Sequence, residues 1–184
     1  TMALAIGAST AIFSVTNGVL LRQLPYKDPE QLVLVWEKRE GGRTDQNVIN
    51  LGNFFDWKDQ NNVFSDMAAF FDRNVNLTGD GEPEEVPTQY GTTNLFSVLG
   101  TNAVLGRTFV SEDGREDQSR VAVISYGLWQ RRFGGDGNVV GRKITLNEQP
   151  TTIVGVMPAG FRHPGKTLRN EVEMWATAGF SANP

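Results

Sequence analysis

An α+β fold behind an N-terminal transmembrane helix is what the sequence predicts, and three observations carry the prediction. Thr1–Leu21 holds no charged residue. Strand-like and helix-like runs then follow in the order β-α-β-β, α, β-α-β-β. Turns bearing Gly, Asn or Pro separate the members of both strand pairs.

The first run, MALAIGASTAIFSVTNGVLL, is long enough to cross a hydrocarbon core as a helix. Ser9, Thr10, Ser14, Thr16 and Asn17 make it only moderately apolar. Ala3, Ala5, Gly7, Ala8 and Ala11 crowd its first half, as in helices that pack closely within a membrane. Two other readings compete: a signal-peptide core and a buried helix of a soluble fold. The former lacks a preceding basic region and a clear cleavage site. Arg22 and Lys27 on the following side weakly favour a cytoplasmic location for it.

Pro25 and Pro29 break the helix. Gln31–Glu37 (QLVLVWE) reads as a buried strand. Asn50–Phe70 carries Phe54, Trp57, Val63, Phe64 and Met67 at imperfect helical spacing, which predicts two short helices split near Asn61-Asn62. Ala69–Thr78 and Glu84–Thr93 form a hairpin around Gly79-Asp80-Gly81. Thr93–Leu99 is a short helix ended by Gly100. Arg120–Ser125 is a strand, and Tyr126–Phe133 is a helix stopped by Gly134-Gly135, with Trp129 and Phe133 on its buried face. Lys143–Leu146 and Thr151–Met157 form a second hairpin around Asn147–Pro150.

Composition narrows the function. The net charge of -4 gives no nucleic-acid surface, which needs clustered Lys and Arg. The absence of cysteine removes disulfides, thiolate catalysis and Cys-based metal sites. His163 is the single histidine and reads as a loop residue, unable to build a His-rich metal site alone.

Three constellations resemble chemical sites. Gly160–Thr167 satisfies G-x-x-x-x-G-K-[ST], the phosphate-cradling loop. Pro164 removes one of the N–H groups such a cradle needs, Phe161, Arg162 and His163 add bulk, and too little chain follows for the Mg²⁺-linked Asp. Ser125 lies between strand and helix, where a nucleophile elbow would sit, but the preceding Gly is missing. Its plainer role is N-cap of the following helix. Glu84-Glu85 and Glu112-Asp113 are paired carboxylates in polar loops with no apolar setting to raise a pKa. No catalytic, cofactor-binding or metal-ligating residue is therefore expected.

The stretch Ala5–Val15, with Leu20-Leu21-Arg22 and Leu24-Pro25-Tyr26, resembles the first membrane helix of MacB-like permeases, in particular an orphan subgroup common in acidobacteria. Phe54-Phe55-Asp56-Trp57, Asn76–Gly79, Asn94–Gly100, Leu105–Phe109, Ser125–Gly135, Val140–Arg142 and Val154–Pro158 with Gly160-Phe161 are similar to that subgroup's next motifs, in order. Gln23, Gly137 and Glu148 depart from it, standing where Pro, Pro and Gly are expected. Glu148 makes a positive-φ turn costlier and is expected to shift the second turn to Asn147.

The resemblance implies a periplasmic core of an ABC-transporter permease in a bacterial inner membrane, with the chain after about residue 22 on the periplasmic side. It overrides the weak charge argument from Arg22 and Lys27. Residues 1–21 are then the transmembrane helix and 22–93 the first half of a split porter-like subdomain. Residues 94–175 are a small inserted α/β subdomain, and 176–184 start the return segment. The implied partners are an ABC ATPase, fused or separate, a second permease copy, and a periplasmic adaptor or cargo. Two alternatives remain open: a P-loop nucleotide binder through Gly160–Thr167, and a membrane-tethered solute-binding domain.

Overall fold

A computed structural model describes residues 26–38, 49–79, 81–115, 120–163 and 172–178. The expected membrane helix at 1–21 lies outside them, and among the described residues no helix is long and apolar enough to cross a membrane. In chain order the elements are α1 (Leu51–Gln60), β1 (Phe70–Thr78), β2 (Glu84–Gly91), α2 (Leu95–Val98), β3 (Leu105–Gly106), β4 (Val121–Ile124), α3 (Tyr126–Phe133), β5 (Lys143–Leu146), β6 (Gln149–Val156) and β7 (Met174–Thr177).

β1 and β2 form the expected hairpin, in register from Phe70↔Gly91 to Leu77↔Glu84. Followed from strand to strand, the pairing returns on itself. β6 joins β4, β4 joins β7, β7 joins β2, β2 joins β1, β1 joins β5, and β5 joins β6. The link between β1 and β5 is short, only Leu77↔Leu146 and Thr78↔Thr145. β3 extends β6 through Leu105↔Val156 and Gly106↔Gly155.

Period-2 alternation gives this sheet two apolar faces. Ala122 and Ile124 of β4 pack with Val75, Leu77, Val86, Ile144 and Ile153, and α3 closes that face with Leu128 and Phe133. Val121 and Val123 point the other way, into a second cluster with Phe96, Leu99, Phe109, Met157 and Trp175. Strands buried on both sides read as continuous apolar runs, as RVAVIS does.

Local signals set the helix ends. The Ser125 hydroxyl accepts the Leu128 N–H at 3.0 Å, and Gly134 takes φ 60° just past the helix. Within α3 the expected buried pair is corrected. Leu128 is fully buried and Phe133 nearly so, while Trp129 is half-buried with its indole N–H donating to the Asp136 carbonyl at 2.9 Å. Arg132 has a side chain only 10% exposed beside Glu84. Both Trp129 and Arg132 have polar ends that find partners at the rim, which leaves the centre of the face to Leu128.

Other expectations are also corrected. Among the described residues Gln31–Glu37 is no buried strand: Pro29–Gln31 is a 3₁₀ turn, Glu37 alone makes a bridge, and Val33, Leu34 and Val35 are exposed. Strand propensity reports fit to a neighbouring strand, and no described strand pairs with residues 32–36. Asn50–Phe70 holds one helix rather than two. The Asn61 side chain accepts the N–H groups of Val63 and Phe64 and turns the chain out of α1. The second turn keeps both Asn147 and Glu148 at positive φ, 45° and 67°, rather than shifting to Asn147 alone. Asn147 supports it by donating its N–H to the Asn76 carbonyl and accepting the Asn76 N–H.

The boundary expected after residue 93 falls between β2 and α2, inside one continuous sheet. β7 lies between β2 and β4, so Ala176 and Thr177 belong to the sheet.

Candidate functional site

Two features stand out on the face opposite α3. The first is an aromatic and polar knot. Phe161 meets Trp175 edge-on at 5.2 Å between ring centres and lies 6.0 Å from Phe96. Tyr26 approaches the same ring edge-on at 6.2 Å, and its hydroxyl donates to the Arg162 carbonyl. Burial pushes the Tyr26 phenol up to about 12, so it stays protonated and able to donate.

Next to the knot, His163 packs edge-on against Phe70 at 4.3 Å. Its Nδ1 lies 3.2 Å from Gln89 Nε2, and that amide also donates to Asp72 Oδ1 at 3.0 Å. Burial pulls the imidazole down to about 3, so His163 is neutral at physiological pH. Sequence reasoning missed Gln89 as a core residue. TQYG reads as polar alternation, and the burial of Gln89 beside β7 and His163 is tertiary.

The second feature is an open groove of about 1070 Å³ between the 27–36 stretch, α1 and the chain from Val63 to Asp72. Its lining includes Val33, Leu34, Val63 and Phe64, all with substantial exposure. Val63 is 80% exposed, which marks an apolar surface rather than a core.

The sequence-nominated sites do not assemble. In the phosphate-loop motif, Phe161 sits in the aromatic knot and His163 against Phe70, while residues 164–171 lie outside the described residues. Ser125 is committed to its helix cap. Burial raises the Glu84 carboxyl, but the hydrogen bonds and charges of Arg131 and Arg132 outweigh it and hold the group below its usual range. Arg131 also grips Glu173 at 2.8 Å, which ties α3 to the chain entering β7. Glu85 accepts from Asn74 at 2.6 Å. Asp113 is held bidentately by Arg107 at 2.6 and 2.9 Å and caps the Val110 N–H. Among the described residues no group of His, Asp and Glu could hold a metal ion.

Comparison with known proteins places this fold. The structure is similar to the periplasmic region of MacB from Actinobacillus actinomycetemcomitans, at TM-score 0.52 and 14% identity over 76% of this chain and 70% of that one. It also resembles the extracellular domain of the noncanonic ABC-type transporter YknZ from Gram-positive bacteria, at TM-score 0.48 and 18% identity over 60% of this chain. The chain spans about half of that domain, 52%. A domain of a permease from Porphyromonas gingivalis matches at TM-score 0.41 and 20% identity, over 61% of this chain and 50% of that one. No curated protein matches the sequence. The sequence itself matches the MacB-like periplasmic core domain over residues 1–176, nearly its whole length, and the chain therefore belongs to that family.

Proposed function

We propose that this chain is a non-catalytic relay, passing ATP-driven conformational change from the membrane to a periplasmic adaptor or to the cargo. On this reading Thr1–Leu21 spans a bacterial inner membrane as a helix. An ABC ATPase, fused or separate, supplies the motion, and two permease copies act as a pair.

The observation that supports the reading best is the use made of the reactive side chains. Ser125 caps a helix, Glu84 and Asp113 brace arginines, and His163 is buried and neutral. Groups spent this way stiffen a body that must move as a unit, whereas catalysis needs at least one of them turned toward a substrate.

The groove supports a revised division of the chain. The porter-like half-layer then ends before β1, and β1–β7 with α2 and α3 form the inserted α/β unit. The apolar faces around Val33 and Val63 are the inner side of that half-layer, covered in the full-length protein by its second half.

The test is reconstitution of the full-length permease with its ATPase in liposomes. Deleting residues 70–178 should abolish substrate movement while ATP hydrolysis persists. Undiminished transport by the deletion variant would refute the relay.

A further inference from the structure

Tyr26 lies five residues after the uncharged run ends at Leu21. A tether of this kind swings freely unless something ties it down. Here two independent contacts fix Tyr26 and Lys27. Tyr26 is only 8% exposed, its ring set on Phe161 and its hydroxyl on the Arg162 carbonyl. The next residue, Lys27, crosses directly over Gly100. A Cβ built on Gly100 would stand 2.4 Å from the Lys27 Cβ and 3.4 Å from its backbone. Gly100 also takes φ +61°, just past α2, where glycine is favoured. The site that ends the helix is thus also the site that lets the tether lie flat on it.

We infer that Tyr26 and Lys27 form a rigid joint that delivers movement of the preceding segment to the domain through the 158–163 loop and the end of α2. Both receiving elements lead into the same core. Phe161 passes the load to Trp175 and Phe96, and Phe96 belongs to α2 itself. His163 and Gln89 then carry the loop onto the β1–β2 hairpin. Tyr26 is a positioning residue: it acts through Phe161 and Arg162 and touches no cargo. The inference rests on the relay reading for its purpose, and on geometry alone for the joint.

Two measurements separate these. Amide hydrogen exchange reads the joint in the full-length permease. Tyr26→Ala removes the ring and the hydroxyl, Tyr26→Phe removes the hydroxyl only, and Gly100→Ala lifts Lys27 from its seat. Tyr26→Ala and Gly100→Ala should each raise exchange at residues 159–163 at least 10-fold, with Tyr26→Phe between them and the parent. β4 and β6 should stay protected in all three. Unchanged exchange at 159–163 in Tyr26→Ala overturns the joint. So does an equal rise in β4 and β6, which would report loss of the fold.

The second measurement is transport by the same variants with the ATPase present. Tyr26→Ala should lower transport at least 10-fold at unchanged ATP hydrolysis, with partial rescue in Tyr26→Phe. Loosened exchange with full transport overturns the joint as a delivery point while leaving the relay reading intact. Failure of the relay reading shows instead as transport that survives deletion of residues 70–178.

Discussion

Gln89 Nε2 lies 3.2 Å from His163 Nδ1, and this contact fixes the state of the imidazole. The Asp72 carboxylate accepts from the same amide nitrogen, which identifies that atom as the donor end. Nδ1 must then accept, so the ring proton sits on Nε2. Protonating His163 would set two donors face to face in a buried place.

A pH dependence follows from that arrangement. The imidazole is pulled from an ordinary 6.5 to about 3 by burial, so the unfolded chain binds the proton more readily. Stability from this group is complete well above pH 6.5 and is lost as pH falls through 6.5 toward 3. Between pH 6.5 and 4.5 the loss should reach about 2 kcal/mol. Urea midpoints over that range should fall less steeply in His163→Gln, which keeps an acceptor for Gln89. Parallel pH profiles for parent and variant would show that His163 is not buried neutral.

Truncations on α3 test its orientation. Leu128→Ala removes a fully buried side chain and should cost about 3 kcal/mol. Trp129→Ala removes a half-buried ring and one hydrogen bond and should cost about 1–2 kcal/mol. Chemical denaturation gives both values. The reverse order would restore the face expected from sequence.

That reversal shows what was legible and what was not. Trp129 and Phe133 are the bulkiest residues at helical spacing, so periodicity alone selects them. The indole N–H at the rim is a tertiary fact. The hairpin turns, the Ser125 cap and the Gly134 stop rest on local chemistry, and the sequence displays them directly. β7 has only four residues and gains strand character from β2 and β4 on either side, so EMWAT carries little signal of its own. The apolar QLVLVWE run misled for the opposite reason: it has the propensity without a neighbour among the described strands. Among the candidate sites, Pro164 and the bulky Phe161 already spoke against a phosphate loop, and the seat of Phe161 in the core supplies the reason for its size.

Breaking the Glu84 bridge should loosen α3 from β2. Glu84→Gln leaves Arg131 with Glu173 but deprives the largely buried Arg132 of its carboxylate. The expected cost is about 1–2 kcal/mol, read from thermal or urea unfolding at low salt. A variant within about 0.5 kcal/mol of the parent would mean the bridge is solvated in solution.

Surface substitutions in the groove test the revised division. Val63→Asp and Leu34→Asp alter exposed side chains and should change the stability of the isolated chain by no more than about 0.5 kcal/mol. In the full-length permease the same changes would bury a charge against the second porter half, and folded yield should drop sharply. Equal tolerance in both contexts would show that the groove stays open.

ATP titration should give no saturable signal, and Lys166→Ala should change nothing. The first half of the motif is already packed against Trp175 and Phe70. Micromolar binding abolished by Lys166→Ala would reinstate the nucleotide reading.

The relay itself is most directly tested by distance measurement in the assembled transporter. This chain has no cysteine, so a single cysteine at exposed Lys143 or Asp59 takes a spin label at a defined place. With the full-length permease and its ATPase in a bilayer, pulsed dipolar spectroscopy reads the separation between the two copies. The distribution should shift between nucleotide-free and ATP-bound states at both positions. The same distribution in both states, with ATP being hydrolysed, would contradict the relay.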